Sequence, residues 1–444
     1  MDVLVKILQF LLSLSLLVML HELGHFCMAK LFKVRVEKFY IFFNPWFSLF
    51  RFKKGETEYG VGWVPLGGYV KISGMIDESM DLEQMKQPAQ PYEFRSKPAW
   101  QRMLIMLGGV LVNFVLAFVI YIAVLFAWGE SYLPTANLKY GVVCDSLFHS
   151  VGVRNGDKIL SVDNKEVERF SDVLSTILLD EAKTMQVMRD GRVVNIDLPE
   201  SLVRGLLLAS SKGYDVEAPL SPRFRYDGVV ADIPPESPAA AAGLRKGDRL
   251  LALDGRTFAF YDEFSALIEA RRGDTLRAAV LRGADTLCVA LPVTADGKIG
   301  IYPELVNDFE FAVKYYSFWE AVPAGIDRGL DQISSYFKQF KLFKNPEALR
   351  SVGSFITIGN IFPSVWDWQA FWNLTAFLSV VLAIMNLLPI PALDGGHVLF
   401  LLYEVVTRRK PSEKFLEKAQ MVGMVFLLLL MALAFGNDIV KLFY

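Results

Sequence analysis

Four stretches of this 444-residue chain, 7–29, 103–128, 368–388 and 419–435, are apolar over the roughly 20 residues a helix needs to cross a bilayer. Between the second and third, residues 129–367 alternate short apolar runs with charged and glycine-rich turns, the pattern of soluble domains. Lys6 is the only basic residue before the first stretch and no small-residue cleavage site closes it, so it is read as a retained span rather than a signal peptide.

Composition agrees with this block structure. The chain is 53% hydrophobic yet 21% charged, which requires the apolar residues to be gathered into spans. Its net charge of -2, with no long basic run, argues against nucleic acid as a partner. Cys27, Cys144 and Cys288 are widely spaced and form no Cys-x-x-Cys pair, so they receive no function. Lys30, Lys33, Arg35, Lys38, Arg51, Lys53 and Lys54 follow the first span, and Arg408, Arg409, Lys410, Lys414 and Lys418 precede the last. The positive-inside rule makes both segments cytoplasmic and puts both termini and the 129–367 region on the opposite side.

That region contains a repeat. Gly152-Val153-Arg154-Asn155-Gly156-Asp157 slides onto Gly243-Leu244-Arg245-Lys246-Gly247-Asp248, each copy preceded by Gly-Val-Val and followed by a helix-like stretch. The pattern resembles the PDZ domain, more closely in the second copy; in the first, Asn164 stands where Gly255 supplies a positive-φ turn in the second. PDZ domains take extended peptides as an added strand, and a pair of rigid spacers is the plainer alternative. Residues 306–367, rich in aromatic and charged positions, are expected to form an amphipathic linker on the outer membrane face. Residues 58–71, alternating apolar and small about Pro65-Leu66-Gly67-Gly68, are expected to form a β-hairpin next to the first span.

The candidate chemistry lies in the first span. His21-Glu22-Leu23-Gly24-His25 places two imidazoles on one face of a helix, able to bind one metal ion, with Glu22 beside them to take a proton from water. Ionisable groups inside a span are costly and are read as functional. A catalytic zinc takes three protein ligands, so a third is needed. At the end of the third span Pro389 and Pro391 break the helix and bring in two candidates, Asp394 and His397. The residues alone leave that choice open. His149 lies in the external repeat, on the wrong side.

His-Glu-Leu-Gly-His, then Pro-Leu-Gly-Gly-Tyr-Val-Lys at 65–71, the tandem repeats and Asn386-x-x-Pro389-x-Pro391-x-Leu393-Asp394-Gly395-Gly396 together resemble the site-2 protease family of intramembrane metalloproteases, in its bacterial branch with tandem PDZ domains. The resemblance implies one zinc per chain, Asp394 as its third ligand, Glu22 as the catalytic base and Asn386 as a holder of substrate backbone. It further implies location in a bacterial inner membrane and single-span membrane-protein substrates, such as anti-sigma factors or signal-peptide remnants, already trimmed by another protease and admitted past the PDZ pair. Gly67, Gly68 and Tyr69 are expected to present an extended substrate strand, with Pro389 and Asn113 also at the substrate. Two motifs depart from the family: Gly109-Val110-Leu111-Val112-Asn113 lacks the usual proline, and Phe42-Phe43-Asn44-Pro45 replaces a Gly-Phe-Gly segment.

The expected fold is an α-helical membrane protein with four transmembrane helices and a cytoplasmic membrane-associated β-hairpin, plus two α+β PDZ domains inserted between the second and third helices. Its segments are 1–30 (first span), 31–100 (cytoplasmic loop), 101–128 (second span), 131–218 and 222–305 (PDZ domains), 306–367 (linker), 368–400 (third span and metal segment) and 419–437 (fourth span). A non-catalytic PDZ scaffold with a structural metal site is the competing class. A metal transporter lacks the matching helix breaks of an inverted repeat.

Overall fold

The computed structural model describes residues 2–65, 67–75, 88–210, 218–342 and 354–443. It comprises two compact units, one of Met1–Glu130 with Lys314–Tyr444, the other Ser131–Val313.

Among the described residues, the first unit holds four helices long and apolar enough to cross a membrane. These are α1 (Asp2–Leu31), α2 (Ala99–Trp128), α5 (Trp368–Leu387) and α7 (Glu413–Phe443). Helices α3 (Phe318–Leu342), α4 (Phe355–Ile361) and α6 (Asp394–Thr407) complete the set described here. In lipid, helices associate through close packing and polar contacts rather than through the hydrophobic effect. Both are present: α1 crosses α2 at Gly24 and Gly108, and Thr375 Oγ1, which donates to the Phe371 carbonyl (2.8 Å), is hydrogen-bonded with Ser13 Oγ (2.9 Å) while Ser379 Oγ donates to the Asn113 carbonyl (2.8 Å). Ala117, Ile120, Tyr121 and Val124 of α2 pack with Ala376, Val380 and Ile384 of α5.

The region expected to be a surface linker contains α3, which is docked along the spans. Ile333, Tyr336 and Phe340 join the α2–α5 cluster, and Gly325 and Gly329 lie against Ile122 and Phe118 of α2. Small residues on the apolar face of this amphipathic helix permit that approach, which charge and aromatic content alone do not reveal.

The expected hairpin at 58–71 is corrected. The strands β1 (Val36–Ile41), β2 (Phe50–Lys54), β3 (Thr57–Val61) and β4 (Tyr69–Ile72) form one sheet in the order β2-β3-β1-β4. β3 and β4 do not pair with each other. β1 lies between them, parallel to β3 and antiparallel to β4. The hairpin is β2–β3 instead, turned at Gly55 with φ 62°. Residues 62–68 are too long for a tight turn, and Gly62 approaches the Phe43 carbonyl so closely that a Cβ would lie 2.1 Å from its oxygen.

The second unit contains two modules, each with its own core. The first centres on Phe148, Ile177, Met185 and Val187 and extends to Leu220, beyond the expected limit at 218. The second centres on Tyr226, Leu250, Phe264 and Val280. The repeat is reproduced bond for bond. Asp157 accepts from the Arg154 amide and from Arg189 Nε (2.8 Å) and Nη2 (2.6 Å), and Asp248 accepts from the Arg245 amide and from Arg282 Nε (2.8 Å) and Nη2 (2.7 Å). Asn164 and Gly255 occupy the matching turn at φ 60° and 75°.

Candidate metal centre

His21 and His25 lie one turn apart on α1, both buried. Their Nε2 atoms are 3.2 Å apart, and Asp394 Oδ2 lies 3.2 Å from the first and 3.3 Å from the second. Bonds of about 2.0 Å in tetrahedral geometry put ligand atoms roughly 3.3 Å apart, so the three atoms outline one face of a zinc-sized tetrahedron. Asp394 Oδ2 is buried with no hydrogen-bond donor. A carboxylate oxygen so enclosed, aimed at two imidazole nitrogens, fits a cation between them. His397 lines the adjoining cavity but is outside this cluster.

The local chain geometry explains the meeting. α5 ends at Leu387, Ala392 turns at φ 87°, and α6 starts at Asp394. The turn folds so tightly that a Cβ on Gly395 would lie 2.3 Å from the Leu387 and Leu388 carbonyl oxygens. Below the histidines, Gly109 leaves no room for a side chain, since its Cβ would be 2.5 Å from His25 Nε2 and 2.6 Å from His21 Cε1. His25 Nδ1 donates to the Ile105 carbonyl (2.9 Å), which leaves Nε2 with its lone pair directed at the cluster.

A cavity of about 630 Å³ opens on the cluster, lined by Glu22, Asn386, Gly67, Gly68 and Tyr69 among others. Asn386 Nδ2 is 3.3 Å from His21 Nε2. Tyr69 is held by stacking on Tyr40 (ring centroids 5.3 Å apart) and by donating to Asn44 Oδ1 (3.0 Å). Two expected substrate residues are elsewhere. Pro389 does not line the cavity, and its place is in the helix break. Asn113 is fully buried behind His21, its Nδ2 3.1 Å from His21 Nδ1. Sequence reasoning missed the part played by Gly24, Gly108 and Gly109, although small residues inside an apolar span are a readable sign of a helix crossing.

A second cluster superficially resembles a nucleophile site. Cys144 Sγ lies 3.8 Å from His149 and 3.5 Å from Asn155 Oδ1. Burial pushes its thiol up to about 12, so it stays protonated and inert.

Two histidines, a carboxylate and a neighbouring glutamate, set between apolar helices, define a metal-dependent hydrolase of the membrane. A family model described as peptidase family M50 matches residues 9–430. The chain belongs to that family, the site-2 proteases, and is a zinc metalloprotease of this type. A Neisseria meningitidis relative bearing a zinc-metalloprotease name is 28% identical over 98% of this chain and 99% of its own. Regulator of sigma-E protease RseP of Escherichia coli is 28% identical over 98% of both chains, and protease RseP of Yersinia pestis 29% over 100% of both. A solved PDZ domain from an SdrC-like protein of Listeria monocytogenes is 30% identical, covering 18% of this chain and 88% of that one, with a TM-score of 0.16.

Proposed function

We propose that this protein is an intramembrane endopeptidase that binds one zinc ion through His21, His25 and Asp394 and cuts single-span membrane proteins within or beside their spans. The observation that carries the reading is the triangle of two Nε2 atoms and one Oδ2, 3.2–3.3 Å on a side, at the wall of a cavity bordered by a sheet edge. When bound there, zinc supplies Lewis acidity: it makes water nucleophilic near neutral pH and stabilises charge developing on a peptide carbonyl.

The chain's own residues do the rest. Glu22 takes the proton from the attacking water and passes it to the leaving amine. The Asn386 amide, next to His21, hydrogen-bonds the substrate backbone near the scissile bond. A substrate helix has its carbonyls already bonded and must be unwound before attack. β4 is the last strand of the described sheet, and its residues Tyr69–Ile72 line the cavity, so its outer edge accepts the unwound segment as an added strand, with Gly67 and Gly68 leaving room.

The two modules of the second unit act as PDZ domains that gate access for substrates pre-trimmed by another protease. Anti-sigma factors are the substrate class in keeping with the relatives named as sigma-E regulators. The protein resides in a bacterial inner membrane, with both termini and these modules outside.

Glu22→Gln tests the reading. The purified variant should keep its zinc and lose cleavage of a membrane-embedded model substrate by about 10²–10⁴-fold. Retained cleavage rejects Glu22 as the base, and a zinc-free wild type rejects the site. A scaffold with a structural metal predicts no zinc-dependent cleavage at all.

A further inference from the structure

His25 and His21 are held from behind by different means. The Ile105 carbonyl only accepts hydrogen bonds, so it fixes the His25 proton on Nδ1. Behind His21 lies the Asn113 side-chain amide, 3.1 Å from Nδ1, whose two ends are an acceptor and a donor of nearly equal shape. With Nδ2 turned to the ring, it would donate to Nδ1, the ring proton would sit on Nε2, and His21 would have no lone pair for a metal. With Oδ1 turned to the ring, Nδ1–H donates to Asn113 and Nε2 is free to ligate. Both orientations make one bond to His21, so metal binding at Nε2 decides between them.

The position is built for this. Asn113 is fully buried; the structure turns its Nδ2 to the ring and leaves Oδ1 without a hydrogen-bond partner, so exchanging the two ends of the amide gives that oxygen the ring N–H as a donor. Its backbone is anchored to α5 by the hydrogen bond from Ser379 Oγ. The residue is therefore held at a fixed height on α2, facing α1.

We infer that Asn113 is a positioning residue that accepts the His21 Nδ1 proton through Oδ1 and so commits Nε2 to the metal. It is not a substrate-binding residue. This rests on the reading of His21, His25 and Asp394 as ligands. Outer partners of metal-bound histidines typically contribute about 10–100-fold to metal affinity.

The test measures zinc dissociation constants of the full-length protein in detergent by competition with a chelator of known affinity. Asn113→Leu removes the acceptor and should weaken zinc binding by about 10–100-fold. Asn113→Asp keeps an acceptor of the same reach but, as a carboxylate, cannot donate, and should hold zinc within about threefold of wild type or more tightly. Cobalt-substituted protein supplies a second readout, with the Asp variant retaining the wild-type visible spectrum. A Leu variant that binds zinc like wild type overturns the inference, as does an Asp variant weakened as much as the Leu variant. Should Asn113→Leu fail to accumulate, the Asp variant decides alone: retained affinity supports the acceptor role and a tenfold loss sinks it. A wild type that binds no zinc would sink the ligand assignment itself, a result distinct from either variant's behaviour.

Discussion

Gly24 of α1 and Gly108 of α2 meet backbone to backbone: a Cβ on Gly24 would lie 2.3 Å from the Gly108 oxygen, and a Cβ on Gly108 would lie 2.7 Å from the Gly24 oxygen. The metal centre depends on that approach, since Ile105 and Asn113 reach the two histidines only from a helix lying this close.

Gly108→Val should therefore separate α1 from α2 and weaken zinc binding by about tenfold or more, through loss of both rear hydrogen bonds. Gly436→Ala is the control, because nothing lies within 4 Å of a Cβ there, and it should leave zinc content unchanged. Equal zinc affinity in the two variants would show that the crossing is not what aligns the histidines.

The sheet edge gives a separable prediction. A Cβ on Gly68 would lie 2.8 Å from the Tyr40 backbone carbonyl oxygen and 3.0 Å from Val18 Cγ1, so Gly68→Val must displace the start of β4. Cleavage of a membrane-embedded substrate should fall by about tenfold or more, the loss of a few backbone hydrogen bonds to substrate, while zinc content stays at the wild-type level. Undiminished cleavage would end the proposal that substrate adds to this edge.

The second unit predicts an acid response. Hydrogen bonding from the Arg282 guanidinium holds the Asp248 carboxyl below the ordinary carboxylate range, against the opposing effect of burial. Because the folded value lies below the unfolded one of about 3.9, the pair's stabilisation is fully present above that pH and is lost as pH falls through the folded value. Arg282→Gln should lower the denaturant midpoint at pH 7, and the gap from wild type should close as the pH falls below about 4. Far-ultraviolet circular dichroism of the full chain in detergent follows it. A gap that stays constant down to pH 2 would mean that Arg282 acts through packing alone.

What could be read in advance divides by range. The spans were legible because hydropathy is a property of consecutive residues, and the repeat because Asp157 and Asp248 recur in the same local frame. His21 and His25 were legible because four residues make one helical turn. Asp394 and His397 stayed open on residues alone, since only the turn of Ala392 decides which one arrives at the histidines. The sheet was misread at 58–71 because strand pairing is a long-range choice: nothing within that stretch announces that residues 36–41 will insert between its two halves. The surroundings of Asn113 were illegible for the same kind of reason. Its partner is 92 positions away in the chain, and it faces His21 only because two glycines let the helices touch.

Thr375 and Ser379 stand one turn apart on α5, and each is tied to a different neighbour, Ser13 on α1 and the Asn113 carbonyl on α2. Sliding α5 by a single residue, about 1.5 Å, breaks both ties in a medium with no water to replace them. The helix thus has a favoured height against its neighbours, in the manner of a vernier. Everything that follows α5 inherits that height, so two hydroxyls more than ten residues upstream determine the depth at which the Asp394 carboxylate meets the histidines.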